Sequence, residues 1–216
     1  MLGKAGYAFS HASKFDIIVE YLITTGTTTS LRSTRLSSPL TRVCWASIGE
    51  EGRDINKKEI YALLSATNIW HEVTGHKGVY NMAEVAEIHL PYPEADAKNL
   101  FIRDDKKRNY YLITVKGNKR VDLKAFRQQN STRPLTFASD QDLMDMLGLI
   151  PGAVTPLGLL NDRGHKVTFF LDKSFLEGSG LIGVHPNDNT ATVWLKAQDL
   201  LKLLEENGTR FTLFDA

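Results

Sequence analysis

The chain has 216 residues, of which 42% are hydrophobic and 24% charged, and a formal net charge of +1. Such a length holds one large domain, or one of ordinary size with an extension. No apolar run approaches the roughly 20 residues that a membrane-spanning helix needs, and the single cysteine, Cys44, excludes an internal disulfide framework and a multi-thiolate metal site.

The N-terminal quarter differs from the rest. Residues 1–49 carry five Lys or Arg against two acidic residues, Asp16 and Glu20. Within them "TTGTTTSLRSTRLSSPLTR" (24–42) has three Arg, no acid and no apolar periodicity, so disorder is the expected state. A transit-like segment or a start assigned too far upstream fits the same composition. "FDIIVEYLI" (15–23) reads as a short helix or strand. Residues 1–52 are therefore set aside as an extension, and an organised domain is expected over 53–216.

In chain order, Asn56 followed by Glu59 predicts a capping box, with Ile60, Leu63 and Leu64 on one helical face. "NIWHEV" (68–73) reads as a strand, and Asn81 with Glu84 caps a second short helix in "YNMAEVAEI". "NYYLITV" (109–115) is β-prone and "DLKAFRQQ" helical. Ser139 and Gly148 bracket a helix. "KVTFFLD", "ATVWL" and "RFTLF" read as strands, and "KAQDLLKLLEENG" as a helix closed by Gly208. Helices and strands mix without a regular βαβ rhythm, which points to an α+β fold.

Two attractive motifs fail on spacing. In "HEVTGH", His71 and His76 are five apart with Gly75 between them, so they do not share the helical face of a zinc protease site. "GSGLIG" has the glycine spacing of a dinucleotide loop, but Pro186 follows where that loop must open a helix. His71, His76, His89 and His165 are read as structural. Residues 98–124 hold nine Lys or Arg against three Asp, a local excess suited to phosphates.

Three stretches then stand out: "KNLFIRDDKKRNYYL" (98–112), "GAVTPLGLLND" (152–162) and "GVHPNDNTATV" (183–193). In this order and spacing, over roughly residues 55–216, the chain resembles the prolyl-tRNA editing family, the YbaK/ProX-type aminoacyl-tRNA deacylases. Within it the chain is most similar to the free-standing Ala-tRNA(Pro) deacylase subgroup. The resemblance implies one YbaK/ProX-like α+β domain, with a mixed, mostly antiparallel and partly barrel-like sheet flanked by helices. It implies hydrolysis of the ester of mischarged Ala-tRNA(Pro), with water as nucleophile. A pocket that separates near-sized amino acids by only about 1–3 kcal/mol per methylene needs such a second sieve.

The same resemblance implies the site residues. Lys98, Gly152 and His185 form the catalytic set. Asn99, Ala153, Val154, Thr155, Pro156, Asn161 and Pro186 line the substrate site, with Asp162, Asn187 and Asn189 ordering the loops. Arg103, Lys106, Lys107, Arg108, Lys119 and Arg120 are expected to meet the tRNA backbone. No cofactor and no metal are implied. The implied partner is the tRNA(Pro) acceptor end, with prolyl-tRNA synthetase as an optional second. A cytoplasmic protein is expected, or an organellar one if residues 1–50 are a transit peptide. A Cys-tRNA(Pro) deacylase, a silent tRNA-binding module and a small-molecule-binding domain are the competing readings.

Overall fold

The computed structural model describes residues 54–78 and 90–216. The N-terminal extension, the helix expected in "YNMAEVAEI" and His89 lie outside the described residues.

Helix α1 (Lys57–Ala66) starts on the capping box its sequence predicts. The Asn56 side chain accepts from the Lys58 N–H at 2.9 Å, and Glu59 reaches back to the Asn56 N–H at 2.7 Å. Strand β1 (His71–Gly75) begins three residues later than the expected strand, because Asn68, at φ 54°, still belongs to the turn that ends α1. A 3-10 turn (Pro93–Ala95) then leads into β2 (Ala97–Asp104), β3 (Tyr110–Lys116), α2 (Leu123–Gln129), β4 (Leu135–Phe137) and α3 (Asp140–Leu147). Next come a 3-10 helix (Pro156–Asn161), β5 (Val167–Asp172), a 3-10 turn (Lys173–Leu176), β6 (Leu181–Val184), β7 (Ala191–Lys196), α4 (Ala197–Glu206) and β8 (Arg210–Phe214).

The strands form two sheets, ordered β4-β2-β3-β5-β8 and β1-β7-β6. The smaller one is antiparallel throughout. In the larger one β4, β2 and β3 pair antiparallel, whereas β3–β5 and β5–β8 pair parallel. The fold is thus α+β with a mixed sheet, as expected. A parallel bridge between Asp96 and Gly183 joins the two sheets at one corner.

Period-2 alternation sorts side chains to the two faces of the larger sheet. Phe101, Tyr110, Leu112, Phe169 and Leu171 enter the main core with Ile60, Leu63 and Leu64 of α1 and Leu200, Leu201 and Leu204 of α4. Leu100, Ile102, Ile113, Val115 and Phe170 face the other way, where Phe126 of α2 meets Phe170 edge-on at 4.8 Å. The "GSGLIG" stretch is a turn running into β6, with Gly178 and Gly180 at positive φ. A Cβ at Gly183 would run into the ring of the fully buried Trp194, so strand packing explains that glycine without a nucleotide.

Candidate active site

The corner where the sheets join is where the three singled-out stretches meet. Two residues beyond the Asp96–Gly183 bridge stand Lys98 on β2 and His185 just past β6. The third wall is the segment between α3 and β5. It begins at Gly148, whose φ of 63° closes α3, and turns again at Gly152, φ 86°, a conformation that favours glycine.

Thr155 is fully buried and fastens this segment. Its hydroxyl caps the 3-10 helix by accepting from the Leu157 N–H at 3.4 Å, and it donates to the His185 carbonyl at 2.7 Å. Pro156 occupies the first helical turn, where a missing N–H costs nothing. One hydroxyl thereby ties the GxxxP loop to the histidine turn.

Asn99 fastens the loop from the other side. Its Nδ2 donates to the Val154 carbonyl at 3.0 Å, and its Oδ1 accepts from the Thr114 hydroxyl, directly across on β3, at 2.6 Å. A carbonyl only accepts, so the carboxamide's orientation is fixed. The peptide plane between Val154 and Thr155 is fixed with it.

His185 is the half-buried group between these walls. Its Nδ1 lies 2.9 Å from the Ala191 carbonyl, so Nδ1 carries the proton and Nε2 is left with its lone pair. Burial holds its pKa below the ordinary 6.5; the bond to Ala191 opposes this, and the nearby His76 adds to it. The rings of His76 and His185 meet edge-on at 5.9 Å. The imidazole is neutral at physiological pH. An unfolded chain protonates His185 at about 6.5 and the folded one only lower, so stability is lost as pH falls through 6.5. Urea midpoints are expected to drop between about pH 7.5 and 5.5, and the drop is expected to shrink in His185→Gln. An unchanged drop would assign it to other groups.

A model of the aminoacyl-tRNA editing domain family matches residues 76–203, more than half of the chain. The chain belongs to that family. It is 37% identical over 155 residues to the prolyl-tRNA editing protein ProX of Acetoanaerobium sticklandii, covering 72% of this chain and 94% of that one. It is 34% identical over 155 residues to the prolyl-tRNA synthetase associated domain-containing protein 1 of Mus musculus, covering 70% and 91%. In fold it resembles a solved candidate trans-editing enzyme for prolyl tRNA synthetase, with a TM-score of 0.52 at 18% identity over 82% of this chain and 96% of that one.

This editing domain places its other expected site residues unequally. Ala153, Pro156 and Pro186 are buried in the loops that flank His185. Lys98 leaves β2 on the face opposite Asn99, and its Nζ donates to the Lys119 carbonyl at 2.6 Å. Asn161 is buried with its hydrogen bonds on main-chain groups: Oδ1 accepts from the Ile55 N–H at 2.7 Å, and Nδ2 donates to Leu147 at 2.9 Å. Asp162 likewise accepts from the Val167 N–H at 2.7 Å. Both tie main-chain groups of neighbouring segments together.

The basic run divides in the same way. Arg103 pairs with Asp142 at 3.3 Å, and Lys119 with the buried Asp172 at 2.8 Å. Lys106, Lys107, Arg108 and Arg120 are exposed. The first three crown the β2–β3 hairpin, whose tip is built on Asp104: its buried carboxylate accepts from the N–H groups of Lys106 and Arg108 and from Asn109 Nδ2. Those bonds, the one from Arg108 foremost, hold the Asp104 pKa below its ordinary value. The tip lies five strand residues, about 17 Å, beyond Asn99.

Of the rejected zinc pair, His71 and His76 each turn Nδ1 to a main-chain carbonyl, of Ile69 and Lys77. Among the described residues no helix is long and apolar enough to cross a membrane.

Proposed function

We propose that this chain is a trans-editing deacylase that hydrolyses the ester of mischarged Ala-tRNA(Pro) with water as nucleophile, and that residues 53–216 form the unit that does so. Family membership supports ester hydrolysis on an aminoacyl-tRNA. The observation that carries the reading is the double fastening of the GxxxP loop, by Asn99 to Val154 and by Thr155 to His185.

The chemistry follows from that geometry. Asn99 occupies a lone pair of the Val154 carbonyl and so holds the plane of the 154–155 peptide. In a trans peptide the Thr155 N–H points opposite to that carbonyl, so fixing one aims the other. The Ala153 N–H is already spent on the Ile150 carbonyl at 3.0 Å, so the donors the loop offers an oxyanion are the N–H groups of Gly152, Val154 and Thr155. The neutral His185 Nε2 accepts from the ribose hydroxyl beside the ester and does not repel the substrate's α-ammonium. Water adds to the carbonyl carbon, and the bond to the ribose oxygen breaks. The products are alanine and a free tRNA hydroxyl, with one net proton released.

Selectivity comes from walls that do not yield. Buried Ala153, Pro156 and Pro186 have few rotamers to move, so a methyl side chain fits where a pyrrolidine ring does not. Lys106, Lys107, Arg108 and Arg120 supply positive charge for the acceptor-stem phosphates, and prolyl-tRNA synthetase is the source of the mischarged substrate.

The test is amino-acid release from Ala-tRNA(Pro), Cys-tRNA(Pro) and Pro-tRNA(Pro) by the full chain. Alanine release well above the other two is expected. Preferential cysteine release would reassign the substrate, and no release from any of the three would overturn the enzyme reading.

A further inference from the structure

The turn that carries His185 is held from a part of the chain outside the region that matches the family. Asn187, at φ 58°, donates through Nδ2 to the Ile55 carbonyl at 2.7 Å, just before α1. One residue on, Asp188 Oδ1 accepts from Lys57 Nζ at 3.0 Å and from the Thr190 N–H at 2.8 Å. It also takes the Thr190 hydroxyl, which accepts in turn from Lys57 Nζ at 2.5 Å. Lys57 is the first residue of α1, where the helix dipole disfavours a cation. The carboxylate opposite answers that cost. The two side chains are only 30% and 39% exposed, so the pair is partly shielded from solvent.

The clamp reaches His185 by two short routes. The ring's Nδ1 bonds the Ala191 carbonyl, and Ala191 directly follows Thr190. The His185 main chain lies three residues before Asp188 and is pinned on its other side by Thr155. Holding Asp188 and Thr190 therefore fixes the middle and the far end of the six-residue span from His185 to Thr190, whose near end Thr155 holds.

We propose that Lys57 is a positioning residue for His185: through Asp188 and Thr190 it sets the His185 ring in the site. This rests on the reading that His185 belongs to the site. The charged and titratable groups that act on the ring are His76 at the end of β1, Asp188 on its own turn and Lys57 from α1. Asp188 raises the imidazole pKa and Lys57 lowers it, so losing either charge moves His185 in a known direction.

The experiment compares Lys57→Met, Lys57→Arg and Asp188→Asn in the full chain. It reads kcat and KM for Ala-tRNA(Pro) and the His185 titration by NMR. Lys57→Met is expected to lower kcat on the order of tenfold with KM nearly unchanged, and to raise the His185 midpoint. Asp188→Asn is expected to lower both kcat and the midpoint. Lys57→Arg keeps the charge and is expected to restore most of both. An unchanged kcat and midpoint in Lys57→Met would overturn the proposal, as would a raised KM with kcat intact, which would make Lys57 an RNA contact. If no ester is hydrolysed at all, the deacylase reading fails, and the NMR midpoints still decide whether Lys57 acts on His185.

Discussion

Asn99→Ala is expected to lower kcat for alanyl ester hydrolysis on the order of a hundredfold, about 2.7 kcal/mol of barrier, with KM for tRNA little changed. Asn99 bonds the Val154 carbonyl at 3.0 Å and is itself held by Thr114 at 2.6 Å. Without it, nothing described on β2 stops the 154–155 peptide from rotating, and a rotated peptide aims its N–H away from the oxyanion. Rotation leaves the hairpin tip and its cations in place, so the loss falls on the chemical step. Asn99→Asp is expected to fare no better, since a carboxylate oxygen facing a carbonyl repels it. Single-turnover release from Ala-tRNA(Pro) measures the effect. A wild-type rate in Asn99→Ala would remove the loop peptide from the mechanism.

Thr155→Val carries the second large effect, because it removes two bonds at once from a fully buried side chain. The isosteric swap leaves the Leu157 N–H and the His185 carbonyl without their partner. Each unsatisfied buried group costs about 1–3 kcal/mol, so a clear drop in the urea midpoint is expected. Activity is expected to fall beyond what stability explains, because the hydroxyl is also the tie between loop and histidine turn. Thr155→Ser keeps the hydroxyl and is expected to recover most of both. If Val and Ser behaved alike, shape rather than the hydroxyl would be holding the two loops together.

The local structure was legible where the signal itself is local. Asn56 and Glu59 announce α1, and Ser139 and Gly148 bracket α3, because a cap satisfies backbone groups three or four residues away. The expected strands do not include β2, β4 or β6: three-residue β4 and four-residue β6 are too short to show a period, and in eight-residue β2 the run Leu100–Ile102 is buried or half-buried on both faces, which hides the alternation. The sequence starts β1 three residues too early because Asn68 reads as an ordinary polar residue without its positive φ.

The site was legible as motifs and illegible as a mechanism. Lys98, the GxxxP loop and His185 each carry a recognisable pattern, but the bonds that connect them span 30 residues from Thr155 to His185 and 55 from Asn99 to Val154. No window of sequence displays such a tie. Asn161, expected beside the substrate, braces Ile55 and Leu147 because only the fold brings those backbone groups to it. Lys57 carries no signal of its role in the sequence, its partner Asp188 lying 131 residues away. One signal was available: period-2 alternation alone separates Lys98 from Asn99 on β2.

The most direct test of the account is where a non-hydrolysable alanyl ester mimic binds. A 3′-alanylamido-adenosine titrated into the labelled full chain is expected to shift the NMR signals of Asn99, the 152–156 loop and the His185 ring. Shifts confined to the hairpin tip at Lys106–Arg108, with Val154 and His185 unmoved, would contradict it.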